Sequence, residues 1–201
     1  QAARLIAMAA NIGFDAIRKN NRACWAEIWK SRIRLVGAEK RWQAMADAAF
    51  FYLISSTHAS SPASTSMFGL ATWHDYHYYF GHVMWDIETF CVPPLIFLQP
   101  HAAQGILDYR VRNLESARNN ARLMGRRGLQ FPWESAPSTG EEAAPMPGSA
   151  AWREDHASLD IARAFSLCAN VTGDDSFLRE KAWPVLFGVA EWIKSRVTKR
   201  R

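Results

Sequence analysis

Apolar residues return every three to four positions along most of the chain, the spacing of helices packed on one face. Ile17, Asn21, Cys24, Ile28, Arg32 and Leu35, with Trp25 and Trp29 one step along, predict an amphipathic helix over about 14–36 that Gly37 ends. A second stripe, Trp42, Ala46, Ala49, Phe50 and Leu53, predicts a helix over about 39–57. The run from Ser55 to Pro62 reads as a loop by composition. Further helices are predicted over about 86–98, with a kink at Pro93-Pro94, and over about 102–124, 153–171 and 176–197. Leu107, Val111, Leu114, Ala117, Ala121 and Met124 mark one face of the clearest of these, and Gly125 stands where a helix C-terminal cap belongs. Thr172-Gly173-Asp174-Asp175 reads as a turn that caps the last helix, in which Pro184 marks a bend or a restart. Two stretches, Ser64 to Trp85 and Gly128 to Ala151, lack any clean period, and long aperiodic loops in compact domains are usually functional. No segment shows a convincing strand pattern. Helix pairs with short turns on one side and long aromatic loops on the other suggest an all-α chain, arranged as an α/α barrel or bundle.

Composition narrows the field. A chain of 201 residues that is 49% hydrophobic can bury one sizeable core and is not intrinsically disordered. The net charge of +5 comes from scattered basic residues. The densest clusters, Arg126-Arg127 and Lys199-Arg200-Arg201, are too short for a nucleic-acid stripe, so no nucleic-acid partner is expected. Thr89 to Leu107 carries no Asp, Glu, Lys or Arg, but its Pro93, Pro94, Pro100, Gln99 and His101 predict a buried soluble helix rather than a membrane span. Cys24, Cys91 and Cys168 form no CxxC pair, which argues against a disulfide framework or a zinc-thiolate site and predicts a reducing, cytoplasmic setting. The opening Gln1-Ala2-Ala3-Arg4 has neither an initiator Met nor a signal-peptide pattern and reads as the edge of a piece cut from something longer.

The chemistry concentrates in the two aperiodic stretches. The first ends Gly81-His82-Val83-Met84-Trp85-Asp86-Ile87-Glu88; the second holds Phe131-Pro132-Trp133-Glu134-Ser135 and then Gly140-Glu141-Glu142. A pyranose has an apolar C–H face, which suits the flat ring of Trp. It also has a rim of vicinal hydroxyls, which a carboxylate can accept from in charge-assisted pairs. Trp beside Asp or Glu, twice, is what a sugar pocket needs. The same adjacency also suits core tryptophans beside helix-capping acids. A metal site drawing on His74, Asp75, His77, His82 and Asp86 has suitable ligand types without a recognisable spacing. No nucleophile elbow, Walker loop or dinucleotide fingerprint is present.

At these residues the chain resembles glycoside hydrolase family 65. Gly81 to Glu88 resembles the family's GHVFWDxE signature, and Trp25-Ala26-Glu27-Ile28-Trp29 its WxxxW helix before the barrel. Leu107-Asp108-Tyr109-Arg110 with Ala117-Arg118, Asn120-Ala121 and Gly125 resembles the LDYRxxRLxxARxNAxxxG helix. Phe131 to Ser135 with Thr139 to Glu142 resembles FPWES and TGEE, and Asp160-Ile161-Ala162 with Thr172-Gly173-Asp174 the following DIA and TGD.

The resemblance implies an α/α toroid, roughly the first half of an (α/α)6 barrel, over residues 37–201, with 1–36 a linker helix leading into it. It implies inverting cleavage of α-glucosides, by water in the hydrolases or by inorganic phosphate as co-substrate in the phosphorylases. Trp85 and Asp86 match residues that bind the non-reducing glucose, and Trp133 and Glu134 a second sugar-contacting pair. His82, Glu88, Glu141 and Glu142 are secondary candidates; the last two either reach sugar or solvate a loop. Phosphorylases often have Gln at the position of Glu134, which favours the hydrolase branch. No metal or cofactor is implied. The family's general-acid Glu is expected in a GPDE-like segment beyond Arg201, so none of these carboxylates is its counterpart and the chain alone is expected to be inactive. The expected partners are an α-linked glucoside or disaccharide and the remaining half of the barrel. Apolar flanks left uncovered at Ile17, Ile28 and Leu35, and at Leu186, Val189 and Ile193, would make the chain marginally stable, homo-oligomeric or dependent on the remaining half of the barrel.

Overall fold

The computed structural model describes residues 2–61, 64–65, 79–145 and 149–197. Within them the chain is mostly helical, and it divides into two compact units, residues 1–50 and 51–201.

The first unit contains α1 (Ala2–Ile12), α2 (Phe14–Ile28) and a 3₁₀ turn (Trp29–Ser31), and most of α3 (Lys40–Ser55), which runs on into the second. Gly13, at φ 82°, separates α1 from α2. Neither α1 nor α2 buries a residue. Leu5, Ile6, Met8, Ile12 and Phe14 are all exposed, as are Ile17 and Leu35. Order is carried by local contacts: Trp29 packs on Phe50 with ring centroids 5.2 Å apart, Arg32 pairs with Asp47 at 3.4 Å, and Gln43 closes the 32–39 turn. Gln43 does so by donating to Ile33 O and accepting from the Leu35 N–H.

The second unit holds the core. In chain order it contains β1 (Val83–Met84), a π-helical turn (Ile87–Cys91), α4 (Val92–Leu98), α5 (Pro100–Arg112), α6 (Leu114–Leu123) and β2 (Glu134–Ser135). A 3₁₀ turn (Ala150–Arg153), α7 (His156–Thr172), α8 (Asp175–Phe177), a second π-helical turn (Leu178–Ala182) and α9 (Trp183–Arg196) follow. The helix α7 is central: it packs on α4, α5 and α9. Ala157, Ile161, Ala164, Phe165 and Cys168 recur at helical spacing along its buried face. Phe165 stacks on Phe177 at 5.9 Å, and Asp174 accepts from the Ser176 and Phe177 N–H groups as a cap, as the turn residues predict.

Three departures from the sequence pattern have local causes. The helix predicted at 86–98 is π-wound over Ile87–Cys91 and becomes α only at Val92. Pro93 and Pro94 lack the N–H groups that an α-helix would aim at Thr89 and Phe90, so the chain widens upstream and Val92 donates to Ile87 O. The same device recurs where Pro184 restarts a helix after Leu178–Ala182. The helix predicted at 102–124 breaks at Asn113, whose side-chain amide donates to Tyr109 O at 2.9 Å and takes the acceptor of the regular ladder. A short antiparallel ladder also exists: Val83 pairs with Ser135 and Met84 with Glu134. Two residues per strand are too few to leave an alternating pattern, so the expectation of no strand is corrected here. Val189, expected on an uncovered flank, is buried instead, because α9 turns Val185, Val189 and Trp192 inward. Its exposed apolar face is carried by Trp183, Phe187 and Ile193.

Candidate functional site

The ladder is the centre of the site because it joins the two Trp–acid segments. Its register sums to one pairing rule, and the pair that would follow Met84–Glu134 is Trp85 with Trp133. Trp85, Asp86, Trp133 and Glu134 are all partly exposed, whereas Val83, Met84 and Ser135 behind them are buried. His82 Nδ1 donates to Glu134 Oε1 at 2.6 Å across the ladder, which fixes the orientation of that carboxylate while leaving its other oxygen outside this bond. Tyr79 packs edge-on to Trp133 at 5.4 Å and holds a left-handed backbone, φ 53°, that is unusual for a residue with a side chain.

Asp86 opens the π-helical turn, but its side chain makes no capping bond to it. Burial pushes its carboxyl above the ordinary value; a bond from its own backbone N–H and then the charge of His156 pull the other way, and Asp160 pushes it up. His156 lies edge-on to Trp85, ring centroids 4.4 Å apart, with Nδ1 donating to Asp160 Oδ2 at 2.9 Å and Nε2 3.2 Å from Glu154 Oε2. The Trp85 indole N–H is shut off from solvent and has no hydrogen-bond partner among the described residues.

Behind this rim stands Arg110 of α5, 1% exposed. Its Nε and Nη2 grip both oxygens of Glu88 at 2.6 and 3.0 Å, Nη1 donates to Ser135 Oγ at 2.5 Å and Nη2 also reaches Met84 O at 3.3 Å. One guanidinium thus ties together the π-helical turn, β1 and β2. Burial works against its charge, and the Glu88 anion more than offsets that, so its proton is held more tightly than usual. Glu142 braces the other side. It accepts from the N–H groups of Trp133, Glu134 and Ala144 at 2.8, 3.2 and 3.2 Å. Burial still pushes its carboxyl up against the pull of those bonds. Gly140 lets the hairpin approach α5: at φ 72°, an added Cβ would stand 2.3 Å from Asn113 Cβ.

The secondary candidates therefore separate. Glu88 has both oxygens committed to Arg110, and Glu142 is committed to backbone rather than solvating a loop. Glu141 is exposed and accepts from Thr139 Oγ1 at 3.1 Å. His74, Asp75 and His77 lie outside the described residues, and no metal-binding group of three His, Cys, Asp or Glu side chains occurs among the described ones. The thiols of Cys91 and Cys168 are pushed up to about 11 by burial, which makes both poor nucleophiles at neutral pH. Sequence reading did not single out Arg110 or His156; the first lies in a motif read only as a helix, and the second meets Trp85 only through tertiary packing.

Residues 49–201 match the model of the glycosyl hydrolase family 65 central catalytic domain. The chain belongs to that family. Among family 65 relatives, it is 36% identical over 199 residues to a kojibiose hydrolase of Flavobacterium johnsoniae, covering 99% of this chain and 28% of that protein. It is 33% identical over 208 residues to the kojibiose phosphorylase of Escherichia coli K12, covering 96% of this chain and 27% of that one. The solved structure of a protein from the human microbiome, provisionally named a kojibiose phosphorylase, shares the fold with a TM-score of 0.81 at 21% identity. That match covers 100% of this chain and 27% of the solved one. The chain thus spans between a quarter and a third of the length of these relatives. No helix among the described residues is long and apolar enough to cross a membrane.

Proposed function

We propose that this chain is part of an inverting α-glucoside-cleaving enzyme of family 65, a hydrolase, and that its ladder rim holds the glucosyl unit at the non-reducing end. The helices of residues 51–201 would form roughly the first half of an (α/α)6 toroid. The observation that carries the reading is the Val83–Ser135, Met84–Glu134 pairing, which gathers two Trp–carboxylate pairs onto one partly exposed edge. Trp85 and Trp133 offer the sugar flat apolar partners, and Asp86 and Glu134 accept from its hydroxyls.

Inverting cleavage needs a carboxylic acid to protonate the glycosidic oxygen and, in a hydrolase, a carboxylate base to activate water, about 6.5–9.5 Å apart. Glu88 and Glu142 are unsuited to either task, since each is locked to partners inside the fold. Asp86 and Glu134 act as binding groups, and both catalytic carboxylates come from segments outside these 201 residues. Kinship to a kojibiose hydrolase supports water as the acceptor; kinship to a kojibiose phosphorylase keeps phosphate as the alternative. Incubating the protein, within its longer parent, with kojibiose in the presence and absence of inorganic phosphate distinguishes them. Glucose as the sole product, at a phosphate-independent rate, is expected. Phosphate-dependent release of glucose 1-phosphate would overturn the hydrolase reading.

A further inference from the structure

We infer that His156 is a positioning residue of this rim, one that sets the Trp85 ring for sugar stacking. The inference rests on the sugar-binding reading above and extends it to a residue in α7, seventy positions away from the Trp–acid motif.

The imidazole is held at three points. Its Nδ1 donates to Asp160 Oδ2 at 2.9 Å, one turn along α7, and its Nε2 lies 3.2 Å from Glu154 Oε2. With both nitrogens facing carboxylates, the ring has little freedom to rotate, and its plane is set. That plane stands at 83° to the Trp85 indole with centroids 4.4 Å apart, close for an edge-to-face pair. Trp85 needs such a wall. Its indole N–H finds no hydrogen bond among the described residues, and its neighbour Phe90 lies tilted at 6.2 Å and is itself 65% exposed. The ring contact with His156 is therefore the closer and better buttressed of the two aromatic contacts this tryptophan makes among the described residues. The imidazole also bears electrostatically on Asp86, favouring the anion that sugar hydroxyls would donate to. One side chain of α7 thus touches the stacking ring and biases the acceptor, although neither motif residue lies on α7. Glu154 and Asp160 would both lose this partner on its removal.

A coupling experiment separates positioning from mere structural support. His156→Gln, Trp85→Phe and the double variant are each titrated with glucose and kojibiose, and their near-ultraviolet circular dichroism is recorded. His156→Gln should weaken sugar binding about threefold or more, the range of contacting side chains, and this loss should shrink to nothing in the Trp85→Phe background. The tryptophan dichroism should change on His156→Gln and not change further when Trp85 is already Phe. His156→Asn, shorter but able to keep one carboxylate bond, serves as a second variant if the first melts early. Sugar binding unchanged by His156→Gln, or reduced equally with and without Trp85, would overturn the inference. So would a dichroism change that persists without Trp85. Intact spectral coupling with no loss of sugar binding in Trp85→Phe or Asp86→Asn would instead overturn the sugar-binding reading.

Discussion

Each Trp–acid segment carries a second carboxylate a few residues on, and the fold treats the members of each pair in opposite ways. Asp86 stays on the partly exposed rim; Glu88, two residues along the π-helical turn, is sealed beneath Arg110 with its side chain 0% exposed. Glu134 stays on the rim, 14% exposed and paired with His82; Glu142 folds back and closes three backbone N–H groups. Neighbours two apart on a helical turn point to different sides, so an acid pair spaced this way necessarily serves two environments. Buried Glu88 and part-buried Glu142 have both oxygens engaged inside the fold and hold the framework. The rim acids keep accepting capacity and are the ones a ligand can use. Proximity in sequence to a family signature therefore does not make a carboxylate a binding group; its remaining lone pairs do.

The brace should fail most expensively. Arg110→Met leaves Glu88 as an uncompensated buried charge, which typically costs about 3–5 kcal/mol, and denaturant unfolding should show a loss of that size. Pairing it with Glu88→Gln should recover part of the loss, because the orphaned charge goes too. Gly140→Ala comes next. Its left-handed backbone and the contact with Asn113 should together cost about 1–3 kcal/mol, read as a lower thermal midpoint, and the steric share should survive in Gly140→Ala with Asn113→Ala, which keeps the clashing Cβ, and be relieved only with Asn113→Gly. On the rim, His82→Phe should cost only about 1 kcal/mol, the net worth of one hydrogen bond, while releasing Glu134. A stability loss there as large as at Arg110 would erase the distinction between brace and rim.

Helix existence, most helix ends and both Trp–acid segments were legible from spacing and motif. Asp174 capped its helix and Pro184 marked a restart as composition foretold. What stayed hidden needed tertiary context. Asn113 reads as an ordinary helical residue until its amide takes the Tyr109 carbonyl. A ladder of two residues per strand has no period to detect. Arg110 on a helix face looks like a solvated cation, and only the arrival of Glu88, Ser135 and Met84 O turns it inward. The possible capping role of Asp86 could not be weighed by adjacency; the structure shows no capping bond from its side chain.

The central claim is that Asp86 is a ligand group rather than a structural one. Calorimetric titration of glucose or kojibiose into the unsubstituted protein and into Asp86→Asn, with thermal melts of both from acid to neutral pH, tests it directly. Charge-assisted bonds to two hydroxyls are worth about 1.5–3 kcal/mol each, so affinity should fall by about tenfold or more. Stability should not fall with it. Burial raises the Asp86 carboxyl above 3.8, so the folded state holds this proton more tightly than the unfolded chain. That contribution is fully present below 3.8 and is lost as pH rises through the folded value, and Asn at this position removes the loss. At neutral pH the variant should therefore melt no lower than the unsubstituted protein. Unchanged sugar affinity, or a variant that loses affinity only because it unfolds, would contradict the account.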